Sequence, residues 1–145
     1  MRLHIDQREN EGITILDLRG RLVLGAEDAA LRQRLQESRD AGHTQVALNL
    51  KDVKEVDSTA LGTLVYFASN FREAGGRLVL FNLSPAHSEL SNLVKLNTAF
   101  EIYRDEVEAL NSFFPDRAMQ HYDILQLVEE WDQKRHSADN KPSKV

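Results

Sequence analysis

The chain has no cysteine, and that absence alone excludes several kinds of chemistry. Without thiols the protein can form no disulfide bridge, no thiolate nucleophile and no zinc site with sulfur ligands. The five histidines are scattered, at positions 4, 43, 87, 121 and 136, and no two have the three- or four-residue spacing of helical metal ligands. We therefore expect neither a metal site nor a bound cofactor.

Long apolar runs are absent as well. No run approaches the ~20 residues that a membrane-spanning helix needs, and the N-terminus lacks the apolar core of a signal peptide. The net charge of −5 and the isoelectric point near 5.5 argue against nucleic acid or an anionic membrane as the main partner. These features predict a cytoplasmic protein that binds neither nucleic acid nor membrane.

The familiar catalytic signatures are missing too. The sequence contains no Gly-x-Ser-x-Gly nucleophile elbow. It also lacks a phosphate-binding loop, because no Gly-Lys-Ser follows the double glycine at Gly75 and Gly76. We expect a protein that is not an enzyme, so any phosphoryl transfer to it must be catalysed by a partner.

What the sequence does contain is the pattern of one α/β domain. Its 145 residues, 41% hydrophobic and 28% charged, suit a soluble domain that buries roughly two-thirds of its unfolded surface. Two strands joined by a polar, glycine-containing connection come first, and strands then alternate with helices. This order predicts a mostly parallel sheet with an opening β-hairpin, covered by helices. The predicted strands are 3–5, 13–18, 45–50, 78–81 and 100–103, and the predicted helices are 26–40, about 58–74, a segment from Ser84-Pro85, and 105–111.

The chain changes character after residue 111. Residues 112–116 contain Pro115 and predict a break. An amphipathic helix then follows, with apolar residues from Ile124 to Trp131 at spacings of three, four and seven. We divide the chain into a domain at 1–112, a C-terminal helical extension at 113–135 and a disordered tail at 136–145. The extension either packs back on the domain or docks a partner, including a second copy of the chain in a homodimer.

One stretch stands out within the domain. After the apolar strand at 45–50, the chain reaches Asp57 and Ser58, and a helical apolar pattern runs from Leu61 to Phe71. Either Asp57 or Ser58 can therefore cap the free N–H groups at the start of a helix, and the helix dipole favours an acidic residue there. We expect the Ser58 hydroxyl to lie at the surface.

The residues from Asp57 to Gly62, Asp-Ser-Thr-Ala-Leu-Gly, resemble the phosphorylation-site signature of STAS domains of the anti-sigma factor antagonist family. The double glycine, the strand at 77–82 and the helix opening at 83–85 also resemble this family, so the resemblance covers about residues 3–112. Ala60 stands where many members have glycine. Val23 stands near a position where many antagonists carry aspartate.

The resemblance implies a function. In the family, the unphosphorylated antagonist binds an anti-sigma factor that is itself a serine kinase, and the sigma factor is set free. Phosphorylation by that kinase ends the complex, and a serine phosphatase resets it. By position Ser58 would be the phosphorylated residue, and Asp57, Thr59, Leu61 and Gly62 would complete the partner-binding surface.

Other interpretations stay open at this point. A serine at a helix start is often only a cap. A STAS subunit of a transport assembly, or of a stressosome-like scaffold, would share the fold and could bind a partner without phosphate turnover. A response-regulator receiver is excluded, because it needs an acidic pair after its first strand and the opening strands here end in Gln7-Arg8 and Arg19-Gly20.

Overall fold

The computed structural model describes residues 2–84 and 101–117. Within these residues lie five strands and three helices, and strands and helices alternate from the second strand to the fourth. They are β1 (His4–Asn10), β2 (Ile13–Leu22), α1 (Ala26–Asp40), β3 (Gln45–Val56), α2 (Ser58–Glu73), β4 (Arg77–Phe81), β5 (Ile102–Tyr103) and α3 (Glu106–Asn111). The helix predicted from Ser84-Pro85, the C-terminal helix and the tail at 136–145 lie outside the described residues.

The strands form a single five-stranded sheet in the order β1-β2-β3-β4-β5. The first pair is antiparallel, with Asn10 opposite Ile13 at the turn, and each later pair is parallel. Parallel neighbours need a crossover between them, which α1 and α2 supply for the middle strands. The predicted opening hairpin and mostly parallel sheet are confirmed.

Strands β1, β2 and β3 extend beyond the residues that their apolar patterns predict. Strand β1 is the edge strand and exposes its charged side chains. It can therefore stay paired with β2 as far as Asn10, although its apolar residues end earlier. Strand β3 continues beyond Leu50, through polar residues, because it stays paired with β2 until Leu22 meets Val56. Two register shifts in this pairing accommodate the added length. The end of β3 thereby reaches the start of α2 with a single residue between them.

Both faces of the sheet are apolar, because alternate residues of the inner strands point to opposite sides. Leu48 and Leu80 lie in one buried cluster with the inward side chains of α1 and α2. Their chain neighbours Ala47 and Val79 lie in a second cluster with α3. The two long helices therefore cover one face of the sheet, and α3 packs on the other.

Helix α2 ends where the double glycine predicts. Gly75 adopts a φ of 86°, in the left-handed region that glycine enters at little cost, and the Gly76 amide donates to the Phe71 carbonyl at 2.8 Å. A side chain at Gly76 would collide with the backbone oxygen of Thr44, since a Cβ there would lie 2.0 Å from it. The chain can thus pass closely from α2 into β4.

An arginine-centred network holds α3 on its face of the sheet. Arg8 donates from Nε to Asp17 at 2.6 Å and from its terminal nitrogens to Glu106 at 2.6 and 2.9 Å. These hydrogen bonds hold the pKa of the Asp17 and Glu106 carboxyls below their usual values. Asn49 donates to Asp17 as well, at 2.8 Å. The network links β1, β2 and β3 to α3, on the face that α2 does not cover.

The described chain stays on the domain beyond residue 112. Phe113 and Phe114 are partly buried against the second apolar cluster. Arg117 pairs with Glu11 at the hairpin turn and lies 4.1 Å from the centre of the Phe114 ring. The segment predicted to be a break is therefore attached to the sheet by two aromatic side chains and one ion pair.

Candidate partner-binding site

The site is built around the single residue between β3 and α2. Asp57 is the N-cap of α2, in extended conformation, and its Oδ1 accepts from the Ala60 amide at 2.9 Å. Its Oδ2 accepts from the Leu24 amide, in the loop between β2 and α1, at 2.8 Å. The Asp57 amide in turn donates to the Leu22 carbonyl at 3.0 Å. One carboxylate thus holds the start of α2 and the β2–α1 loop together.

Ser58 is the first residue of α2, and it is exposed. Of the two residues that the sequence offered as caps, the structure uses Asp57. The Ser58 hydroxyl makes no hydrogen bond to any residue that the structure describes. A phosphate there would lie at the helix N-terminus, where unpaired N–H groups and the helix dipole favour negative charge. The hydroxyl is therefore accessible and unneeded by the fold.

The exposed side of α2 continues from Ser58 through Gly62 to Tyr66, at intervals of four residues. A Cβ built on Gly62 would meet nothing within 4 Å, so no packing contact with the part of the chain that the structure describes requires glycine there. Tyr66 has 55% of its surface exposed. These three residues form an exposed stripe along α2. At its middle, Gly62 has no side chain and leaves a flat gap between Ser58 and Tyr66.

The other predicted contact residues occupy different environments. Leu61 is only 3% exposed and belongs to the core cluster under α2, so it can serve the surface only by anchoring the helix. Thr59 is half-buried at the second position of the helix. The structure therefore brings Ser58, Thr59 and Gly62 to the surface beside Asp57 and directs Leu61 inward.

A buried hydrogen bond locks the two helices next to the site. Thr63 of α2 donates to Asp28 of α1 at 2.7 Å, and Arg32 donates to the same carboxylate at 2.7 Å. Asp28 is 5% exposed and Thr63 is 1% exposed. Because a buried carboxylate is costly without partners, this pairing keeps the first turns of α1 and α2 in one relative position.

Sequence reasoning missed two surface residues at the site. Leu24, beside Asp57, is 70% exposed although it follows two apolar residues, Leu22 and Val23. Tyr66 could have been found, because it lies eight residues after Ser58 and thus on the same side of the helix. No local signal identified Leu24, because its exposure depends on how the loop closes on Asp57.

The described residues contain no cluster of three or more histidine, cysteine, aspartate or glutamate side chains able to hold a metal ion. None of the helices described is long and apolar enough to cross a membrane. The fold and site together define a small α/β domain that presents a serine at the start of its second helix.

The model of the STAS domain family matches residues 4–109. This chain belongs to the STAS domain family, as the Asp-Ser-Thr-Ala-Leu-Gly motif predicted. A curated relative, the anti-sigma F factor antagonist of Paenibacillus polymyxa, is 26% identical over 110 residues, which cover 76% of this chain and 94% of the relative.

Two solved structures share the fold. An anti-sigma factor antagonist from Mycobacterium paratuberculosis superposes with a TM-score of 0.66 at 17% identity, covering 76% of this chain and 92% of that one. The Bacillus cell fate determinant SpoIIAA, in its phosphorylated form, superposes with a TM-score of 0.57 at 18% identity, covering 76% and 99%. The predicted α/β architecture is confirmed by these neighbours.

Proposed function

We propose that this protein is an anti-sigma factor antagonist of the cytoplasm, without enzymatic activity of its own. Its unphosphorylated form binds an anti-sigma serine kinase and releases the sigma factor. Phosphorylation of Ser58 ends that binding, and a serine phosphatase restores it. The observation that carries the proposal is the exposed Ser58 hydroxyl at the start of α2, where Asp57 caps the helix and no residue of 2–84 or 101–117 is hydrogen-bonded to the hydroxyl.

The relatives support this direction. The curated relative is named as an anti-sigma F factor antagonist, and the Bacillus neighbour was solved in a phosphorylated form. The Ser58 region also has the charge that an electrostatic switch needs. Residues 22–30 and 57–62 contain two partly exposed carboxylates, Glu27 and Asp57, and no lysine or arginine, while Asp28 is buried and bound by Arg32. A phosphate at Ser58 would increase an existing negative charge.

The size of the effect is enough for a switch. Phosphate adds nearly two negative charges. After transfer it would face the nucleotide phosphates in the kinase site, and one like-charge pair near 4 Å costs about 4 kcal/mol at an effective dielectric of ~20. The dipole of α2 offsets at most about 1 kcal/mol of this. Since each 1.4 kcal/mol is about tenfold in affinity, the modification can release the partner without any change of fold.

The direct test is mass measurement after incubation with the cognate anti-sigma serine kinase and ATP. We expect one added phosphate in the wild-type protein, located on Ser58 by fragmentation, and none in Ser58→Ala. Ser69→Ala, which removes another exposed serine of α2, is the matched control and should be phosphorylated like the wild type. A wild-type chain that binds the kinase and stays unmodified would contradict the proposal.

That outcome would favour the alternative function. A STAS subunit of a transport assembly or of a stressosome-like scaffold would use the same exposed side of α2 to bind a protein without phosphate turnover. The scaffold version would also assemble into large particles, which light scattering would detect. The exposed stripe of Ser58, Gly62 and Tyr66 is compatible with such a contact.

Gly62 offers a prediction in which stability and binding move in opposite directions. Gly62→Ala should stabilise the domain by about 0.5–1 kcal/mol, because glycine is costly inside a helix and a methyl group there meets open space. The same methyl should weaken kinase binding by about tenfold if the partner approaches the flat gap closely. Chemical denaturation and titration calorimetry on one preparation measure both. Unchanged affinity in a stabilised variant would mean that the partner does not contact Gly62.

A further inference from the structure

Leu24 is the most exposed of the large apolar side chains among the residues described, at 70%. It lies in the β2–α1 loop, whereas its neighbour Leu22 is fully buried at the end of β2. A single exposed leucine needs no special explanation. This one differs because of where it is and how firmly its backbone is held.

Four backbone groups around Leu24 are hydrogen-bonded. The Leu24 amide donates to Asp57, and the Leu22 carbonyl accepts from the Asp57 amide. The Val23 carbonyl accepts from the Asp28 amide, and the Gly25 carbonyl accepts from the Ala29 amide, each at 3.0 Å. The loop therefore presents the Leu24 side chain in a defined place at little further cost in entropy on binding.

That place adjoins Ser58. The carboxylate that binds the Leu24 amide belongs to Asp57, and Asp57 directly precedes Ser58 in the chain. Leu24 is therefore linked to Ser58 through a single residue. A partner that contacts the Ser58 hydroxyl therefore approaches the loop that carries Leu24. Leu24 is thus continuous with the proposed phosphorylation surface.

The charges around the site indicate what Leu24 contributes. Residues 22–30 and 57–62 contain no lysine or arginine. Their carboxylates Glu27 and Asp57 are partly exposed, whereas Asp28 is buried and bound by Arg32. This stretch therefore offers no cation to the nucleotide phosphates of a kinase site. What the loop can contribute to binding is burial of apolar surface, and Leu24 is its most exposed apolar side chain.

We propose that Leu24 is the apolar anchor with which this protein docks on its kinase partner, and that the partner carries an apolar pocket beside its phosphoryl-transfer site. This inference rests on the proposed function. Leu24 directly follows Val23, which stands near the position where many relatives carry aspartate. The anchor would select partners by an apolar pocket rather than by a basic side chain.

The test uses full-length variants and the anti-sigma serine kinase loaded with ADP. Leu24→Ala should bind about ten- to a hundredfold more weakly than wild type, as expected when most of a buried leucine is removed. Its KM as a substrate, with ATP, should rise by a similar factor while kcat stays unchanged, because Asp57 and Ser58 keep their geometry. Leu24→Met, which keeps the apolar volume, should restore most of the affinity.

Val107→Ala is the matched control, since Val107 is 67% exposed but lies on α3, on the other face of the sheet. It should bind like the wild type. Equal affinity of Leu24→Ala and wild type would overturn the anchor and leave the proposed function intact. Failure of the wild-type chain itself to bind the kinase would overturn both. Thermal unfolding of Leu24→Ala should match that of the wild type, because the removed surface is already exposed.

Discussion

Ser58→Asp is expected to bind the anti-sigma serine kinase about a hundredfold more weakly than Ser58→Ala. The aspartate places one permanent charge at the start of α2, beside Asp57 and facing the nucleotide phosphates of the partner. A like-charge contact of this kind costs several kcal/mol at an effective dielectric of ~20, and about 2.8 kcal/mol already corresponds to a hundredfold. Titration of the ADP-loaded kinase with each full-length variant measures the difference.

The control for this comparison is the same substitution at Ser69, an exposed serine eleven residues further along α2. At ~1.5 Å per residue it lies on the order of 16 Å from Ser58 along the helix axis, beyond the Debye length at physiological salt. Ser69→Asp should therefore bind like the wild type. If Ser58→Asp retains the kinase as well as Ser58→Ala does, the charge-switch mechanism is wrong.

The second large effect concerns stability. Asp57→Ala should lower the free energy of unfolding by about 2–3 kcal/mol, because it removes both the cap on α2 and the charge-assisted hydrogen bond to the Leu24 amide. Asp57→Asn should have an intermediate effect, since its single amide oxygen cannot replace both carboxylate oxygens in the same geometry. Urea denaturation monitored by circular dichroism measures each loss.

Asp105→Ala provides the matched control. Asp105 caps α3 by accepting from the Glu108 amide at 3.0 Å, and no loop amide is bound to its carboxylate among the residues described. Its removal should cost about 1 kcal/mol, the usual value for a cap. If Asp57→Ala costs no more than Asp105→Ala, the bond to Leu24 contributes nothing to stability.

Much of the fold was predictable from short-range patterns. Helix α1 was placed at 26–40 from its apolar spacing and its glycine stop, and the structure has it at Ala26–Asp40. The double glycine at Gly75 and Gly76 marked the end of α2 correctly. Such features depend on side-chain periodicity and on backbone conformations that few residues adopt, both of which can be read within one turn or strand. The hairpin and the alternation then restrict the sheet to a few topologies.

The strand lengths were less predictable. The apolar pattern of β3 ends at Leu50, yet the strand continues to Val56 because β2 is there to pair with it. Pairing partners come from distant parts of the chain, so a mostly charged stretch such as 51–55, in which Val53 alone is apolar, carries little local sign that it is extended. Without that extension, the distance between β3 and α2 could not be reduced to one residue.

For the site, the amino-acid order alone established that Ser58 stands where a strand passes into a helix, because capping preferences and apolar spacing are local properties. It could not establish which residue caps, which atom remains accessible, or which neighbours share the surface. Asp57 caps α2 through one carboxylate oxygen, and a loop from 33 residues earlier in the chain brings the Leu24 amide to the other. The exposure of Leu24 depends on that long-range contact, which comes from three-dimensional packing and not from neighbours in sequence.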